Sequence, residues 1–197
     1  MISSDLCYNG YIKFDLWKNH KCSDGSKTML NVNEFSKHYQ VKKLNNKDVD
    51  DIYNLCLSNP LYYEYCPPMV SKESVLEDLV ALPQGVTLNE KYYVGFYENG
   101  KMVAVMDLID GYPKEKIAFI GFFMTDASVH NTGVGSAIIS DVSNYFERMN
   151  YSAIRLAWVK GNPQAEHFWK KNGFKGILET SSTAAERVIL GEKVWRQ

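Results

Sequence analysis

The apolar positions of this chain change period near Tyr92. Upstream they recur at helical spacing, and downstream they crowd into strand-like runs. Val49, Ile52, Tyr53, Leu55 and Cys56 share one helix face behind Asn46, a candidate N-cap. Asp48 and Asp50 stand in its first turn, where carboxylates favour the helix dipole. A second helix is predicted from Ser71, with Val75, Leu76, Leu79 and Val80 as its stripe. Residues 59–70 (NPLYYEYCPPMV) carry three prolines and three tyrosines between the two and read as loop. A short strand, Tyr39 to Leu44, opens the domain.

The β-rich part begins with Tyr92 to Tyr97 and Met102 to Ile109, joined by Glu98-Asn99-Gly100-Lys101, whose Asn-Gly pair suits a tight hairpin. Gly111 and Pro113 end the second run. Ile117 to Met124 is almost continuously apolar, as expected of a strand covered on both faces. After Gly135 a helix follows, with Ile138, Ile139, Val142, Tyr145, Phe146 and Met149 on one face. A strand (Ala153 to Val159), a helix (Pro163 to Asn172, closed by Gly173) and strand-like runs up to Trp195 complete the chain. The order β-α-α-β-β-β-α-β-α-β-β predicts a mixed α/β fold with a hairpin-rich first half and a βαβ crossover in the second. Residues 1–35 lack sustained periodicity and are assigned to an N-terminal extension, leaving 36–197 as one domain.

Composition narrows the function classes. With 45% apolar and 13% aromatic residues in 197, the chain can bury a substantial core. The 22 basic and 23 acidic residues nearly cancel and form no long like-charge block, so nucleic acid and polybasic membrane contacts lack electrostatic support. The longest apolar run is too short to span a bilayer as a helix. Lys13, Asp15, Lys18 and Lys21 interrupt any secretory pattern at the N-terminus. Cys7, Cys22, Cys56 and Cys66 form neither a Cys-x-x-Cys pair nor an interleaved Cys/His set. Free thiols in a reducing, cytoplasmic setting and no metal site are therefore expected.

The candidate chemistry lies in two segments. In the first, Ile117 to Ser136, an apolar strand leads through a short loop to Gly133-Val134-Gly135 at a helix start. Unpaired N–H groups at the positive end of a helix dipole bind pyrophosphate well, and glycine admits the oxygens without a Cβ clash. Alone this is a weak signal, because the third glycine of a Rossmann loop and the Gly-Lys-Ser/Thr of a P-loop are both missing. The second segment is KGNPQAEHFWKKNGF, Lys160 to Phe174, one helix and one strand further on.

Together the segments resemble the acetyl-CoA-binding core of the GNAT superfamily of N-acetyltransferases. There a Gln/Arg-x-x-Gly-x-Gly/Ala loop follows an apolar strand, and an Asn-x-x-Ala-x-x-Phe-Tyr-x-x-x-Gly-Phe element follows later. Gly133, Gly135, Asn162, Ala165, Phe168, Gly173 and Phe174 match in order and spacing. The resemblance covers residues 92 to 177 firmly, reaches back to about residue 38 more loosely, and leaves out the first 30 or so. It implies a GNAT-like acyl-CoA N-acyltransferase fold, a mixed twisted sheet of about six or seven strands with helices on both faces. It also implies acetyl-CoA as co-substrate, with His130, Asn131, Thr132, Gly133, Val134, Gly135 and Ser136 around the pyrophosphate. By the same resemblance the backbone N–H groups of Phe123, Met124 and Thr125 polarise the thioester carbonyl, and Asn162, Phe168 and Trp169 line the pantetheine arm.

Two positions depart from the family pattern. His130 replaces the usual Gln or Arg, where the backbone N–H is the main contributor. Trp169 replaces a tyrosine thought to protonate the leaving thiolate; its indole N–H donates a hydrogen bond but is no useful acid. A thiol of pKa about 8.5 leaves tolerably without one. The amine, with a pKa near ~10, must lose a proton before attack. Asp107 and Asp110 are the candidate bases, set against a plainer reading in which Asp110 caps a turn and Asp107 lies on the solvated face. Tyr62, Tyr63, Glu64 and Tyr65 are candidates for the acceptor site, a cationic acceptor being drawn to Glu64. No Cys or Ser sits in a nucleophile setting, so direct attack is expected rather than a covalent enzyme intermediate. The expected partner is a small-molecule or peptide amine; a homodimer is compatible with the sequence but not required by it. The alternatives are an acyl-CoA-binding sensor without turnover and a generic nucleotide-binding domain.

Overall fold

The computed structural model describes residues 29–181 and 187–195. Within them one sheet of seven strands forms, in the order β1-β2-β3-β4-β5-β7-β6. Its strands are β1 (Gln40–Lys43), β2 (Lys91–Glu98), β3 (Lys101–Asp110), β4 (Ile117–Thr125), β5 (Ala153–Val159), β6 (Lys175–Ser181) and β7 (Arg187–Val194). The helices are α1 (Val49–Leu57), α2 (Pro60–Tyr65), α3 (Lys72–Val80), α4 (Val134–Arg148) and α5 (Pro163–Lys171). All pairings are antiparallel except β4 with β5, which α4 joins as a crossover.

Local chemistry explains most of these elements. Asn99 (φ 49°) and Gly100 (φ 81°) both adopt the left-handed backbone that a two-residue hairpin between β2 and β3 needs. Ser71 accepts from the Ser74 N–H and closes a capping box at the start of α3. At the first helix the cap is Asn45, which holds a short turn, Asn46–Asp48, ahead of α1. In α4 the predicted stripe Ile138, Ile139, Val142, Tyr145 and Phe146 is buried. The Tyr-rich segment corrects the sequence reading: Pro60 occupies the first turn of α2, where its fixed φ suits a helix and its missing N–H costs nothing.

Consecutive β4 side chains enter opposite cores. Met124 and Phe122 pack with Ile52, Leu55 and Val75 of α1 and α3, whereas Phe123 packs with Ile138, Phe146 and Trp169 of α4 and α5. Helices thus cover both faces.

The packed domain also reaches further back than residue 36. Phe35 is fully buried, 4.9 Å from the Tyr145 ring, and Leu30 is buried with it. The Leu30 and Asn31 N–H groups donate to the hydroxyls of Tyr92 and Tyr145. Residues 29–39 therefore form a strap packed against α4, while residues 1–28 of the expected extension lie outside the described residues.

The strap is fastened at Asp141, a buried carboxylate on α4 that accepts from the Ser36 hydroxyl (2.6 Å), the Lys37 N–H (3.1 Å) and the His38 ring (2.9 Å). Burial works to raise the Asp141 carboxyl, but these hydrogen bonds outweigh it and hold the group below the usual carboxylate range. A depressed carboxyl contributes stability above its unfolded pKa and loses it as pH falls through the folded value. Asp141→Asn is expected to cost about 1–3 kcal/mol at neutral pH. Urea denaturation of both proteins should show that gap closing below about pH 4; a gap independent of pH would contradict the assignment.

Candidate active site

The site forms where the sheet divides. β5 pairs with β4 only from Ile117 to Ile120, opposite Ala153 to Leu156. Beyond that, β4 stays bonded to β3 as far as Thr125, and β5 stays bonded to β7 as far as Val159. Gly121 lies in a bulge at the point of parting, because Asp107 faces Phe122 and Leu108 faces Ile120, leaving Gly121 without a partner. Bulges bend the strand that carries them and end regular pairing. The stretch Gly121–Thr125, which includes the predicted Phe123, Met124 and Thr125, therefore has one backbone edge turned away from β3 and not matched by β5.

The loop after β4 ends at Gly133, whose φ of +92° is open to glycine and strained for other residues. The first ladder bond of α4 runs from the Ala137 N–H to the Gly133 carbonyl, so the amides of Val134, Gly135 and Ser136 precede the ladder. No side chain caps this end. His130, Asn131, Thr132 and Gly133 are exposed around it. Contrary to expectation, the His130 N–H is committed to the Ala127 carbonyl at 3.1 Å, and the Thr132 N–H to the Val129 carbonyl at 3.4 Å. The amides outside the ladder are those of the helix start.

The two sequence motifs meet at Gly135. A Cβ there would stand 3.2 Å from Phe168 Cε2 and 3.4 Å from Thr125 Cγ2, so helix, strand end and α5 meet here with little room to spare for a side chain at residue 135. Phe168 stacks on Phe123 with centroids 5.9 Å apart and planes at 20°. Trp169 is buried against Phe123, Phe168 and Phe174. Asn162 is the N-cap of α5, its side-chain oxygen accepting from the Ala165 N–H at 3.0 Å.

A third segment closes the same end of β4. Asn59, buried between α1 and α2, donates to the Thr125 carbonyl at 3.0 Å, and the Ser58 hydroxyl accepts from the Ala127 N–H at 3.1 Å. Sequence reasoning passed over both residues, since polar side chains in a proline-rich segment look like ordinary turn formers.

Of the predicted acceptor residues, Tyr62 and Tyr63 line a pocket on the α1–α3 face, with Phe122 of β4 at its wall. The Tyr62 and Phe122 rings meet edge to face at 5.7 Å. Glu64 and Tyr65 are not among the lining residues, and Glu64 is exposed. Burial raises the phenols of Tyr62 and Tyr63 above their ordinary range, so both stay protonated. Burial pushes the Cys56 thiol in the same pocket up to about 12, which removes it as a nucleophile at neutral pH.

The two predicted bases are separated. Asp110 is buried beside the still-paired part of β4, opposite Ala118, and accepts from the Tyr151 hydroxyl. Asp107 stands opposite Phe122, level with the parting. Contrary to the plainer expectation it is not solvated: it is 1% exposed and pairs with Lys91, itself 2% exposed, at 2.6 Å. The Lys91 ammonium also donates to the Ala81 carbonyl at 2.9 Å. Sequence reasoning missed Asp78, a further pocket residue on α3. Its place beside Val75 and Leu79, on the apolar flank of the helix, was the available signal. Among the described residues no group of three metal-ligating side chains assembles, and no helix is long and apolar enough to cross a membrane.

The fold is similar to that of an acetyltransferase from Thermus thermophilus, with TM-score 0.66, 14% identity and coverage of 80% of this chain and 97% of that one. An acetyltransferase from Salmonella typhimurium that modifies the N-terminal serine of a 50S ribosomal subunit protein gives TM-score 0.65 and 15% identity, covering 82% of this chain and 98% of that one. PaiA N-acetyltransferase from Thermoplasma acidophilum in complex with coenzyme A gives 0.58 and 14%, covering 80% and 99%. Among curated proteins no sequence matches the chain. The model of the acetyltransferase (GNAT) family, in contrast, matches residues 50–174. That match spans most of the chain and takes in the parted strand, the Gly133 loop and the Asn162 to Phe174 element together, so the chain belongs to the GNAT family of acetyltransferases.

Proposed function

We propose that the chain transfers an acetyl group from acetyl-CoA to a primary amine. The observation that carries this reading is the parting of β4 from β5 with the uncapped start of α4 at its open end. The residues present fit the co-substrate. Val134, Gly135 and Ser136 offer amides to the pyrophosphate, and the left-handed Gly133 turns the chain so that they point one way. The unmatched backbone edge of Gly121–Thr125 suits the amides of a pantetheine arm, which hydrogen-bond as an added strand does. N–H groups on that edge would stabilise oxyanion charge at the thioester carbonyl.

Direct attack by the amine is favoured over a covalent enzyme intermediate, because the Cys56 thiol is held protonated. The leaving thiolate needs no strong acid, which accommodates Trp169 in place of a tyrosine. The buried free thiol of Cys56 suits a reducing compartment, in keeping with a cytoplasmic enzyme. The Salmonella neighbour acts on the N-terminal serine of a protein, and an amine of that kind or a smaller one is the acceptor class we assign here.

Calorimetric titration with acetyl-CoA, CoA and ATP is expected to give clearly tighter binding of the first two, and thiol release should follow when an amine is added. Equal affinity for ATP would overturn the assignment of the Asn162 to Phe174 element, and binding without thiol release for any amine would favour an acyl-CoA sensor. Gly135→Val drives methyls against Phe168 and Thr125. It should weaken acetyl-CoA at least about tenfold, or ~1.4 kcal/mol, while circular dichroism reports an intact fold; unchanged affinity would place the cradle elsewhere.

A further inference from the structure

The pocket on the α1–α3 face holds one carboxylate that no other described residue hydrogen-bonds. Its walls are mainly apolar or aromatic, from Cys56, Tyr62, Tyr63, Val75 and Phe122, with Ser74 at one side, and among the described lining residues Asp78 alone carries a charge. The Asp78 Oδ1 atom is buried and has no hydrogen-bond partner among the described residues. A buried acceptor left unsatisfied costs about 1–3 kcal/mol, so such an atom in an open pocket points to a donor arriving from outside. The nearby cation does not reach it: the Lys91 ammonium donates to Asp107 and the Ala81 carbonyl, and none of its donors ends on Asp78 Oδ1. Phe122 ties the pocket to the chemistry: it belongs to the unmatched stretch of β4 and also forms the pocket wall.

We infer that this pocket is the acceptor site and that Asp78 receives the acceptor's ammonium group, selecting primary amines carried on a slender unbranched alkyl stem. The inference rests on the acetyltransferase reading above. The cavity of about 50 Å³ admits only a narrow stem beside its aromatic walls, whose ring faces also attract a cation, and the ammonium supplies the donor that Oδ1 lacks. Asp78 then accepts one proton from the ammonium. The freed lone pair forms the N–C bond to the thioester carbonyl carbon, the C–S bond breaks with its electron pair on sulfur, and the second N–H proton neutralises the thiolate. Products are the amide, the thiol and a proton that Asp78 returns to water.

The surroundings tune the group for this exchange. Burial, and then the negative charge of Asp107, raise the Asp78 carboxyl to about 8, with Lys91 pulling it back and Glu77 adding a little. The thiols of Cys56 and Cys66 and the phenols of Tyr62 and Tyr63 face the same space; the Cys56 thiol and both phenols stay protonated near pH 8. An ammonium bound beside Asp78 favours its charged form, and a base with pKa close to the working pH is the efficient one.

The test uses butylamine, phenethylamine, spermidine and an alanyl tripeptide as acceptors, with acetyl-CoA binding followed separately. In the wild type, kcat/KM should rise with pH through about 8 as Asp78 ionises, on top of the amine's own titration. Asp78→Asn keeps the shape and should lose that limb, lower kcat/KM for the preferred amine about 10- to 100-fold, and leave the acetyl-CoA affinity unchanged. Asp78→Glu should recover part of the rate. Because Oδ1 has no partner to lose, Asp78→Asn should melt no lower than the wild type. Wild-type rates and an unaltered pH limb in Asp78→Asn would overturn the inference and leave the transferase standing. Acetyl-CoA binding by a wild type that neither binds nor acylates any amine of the panel would overturn the acceptor site alone. Failure to bind acetyl-CoA would remove the transferase reading and this inference with it.

Discussion

The fold turns on one asymmetry in β4, which keeps its hydrogen bonds to β3 as far as Thr125 but gives up those to β5 after Ile120. Backbone N–H and C=O groups in the interior of a sheet are normally all paired, so an internal edge of this kind needs support. The bulge at Gly121 bends the strand out of register. Phe123 then anchors one face against Phe168 and Trp169, Phe122 anchors the other against Tyr62, and Asn59 takes the Thr125 carbonyl. One strand thereby keeps an unmatched backbone edge while its side chains enter both cores.

The two faces divide the work by the kind of electrostatics they supply. On the α4–α5 side the favourable field comes from backbone amides at the start of α4, a fixed dipole that requires no ionisable side chain. On the α1–α3 side it comes from buried charges, with Lys91 and Asp107 nearly inaccessible and Asp78 beside them. Burying charges is costly, and the Lys91–Asp107 pair is sustained by its short contact, the Ala81 carbonyl and the Tyr93 ring 5.5 Å from the ammonium. The proton affinity of the neighbouring Asp78 is raised first by burial and then by the charge of Asp107, while Lys91 works against both.

The strap of residues 29–39 belongs to the same economy of polar groups. The N–H groups of Leu30, Asn31 and Lys37 end on Tyr92, Tyr145 and Asp141, so the segment that carries Phe35 is tied to the domain by its backbone. Phe35 joins the Tyr145 and Phe146 rings in the core under α4, so the strap adds to the packing that holds this helix.

What the sequence by itself determined is what nearest neighbours along the chain control. The Asn99-Gly100 hairpin, the apolar β4, the α4 stripe and the Asn162 to Gly173 helix were legible because turn chemistry, capping and periodicity act over a few residues. The Gly133 loop was legible for the same reason, as one contiguous strand–loop–helix segment. The six-residue helix α2 was not, since its prolines and tyrosines mask the favourable first-turn position of Pro60. Nor was the acceptor side. Lys91 meets Asp107 only because the β2–β3 register places Tyr93 opposite Asp107, putting Lys91 diagonally next to it on the same face. Asp78 joins them only once α3 docks by Val75 onto that face. Register and helix docking are long-range packing outcomes, and a lone carboxylate acquires its partner, its burial and its proton affinity from them alone.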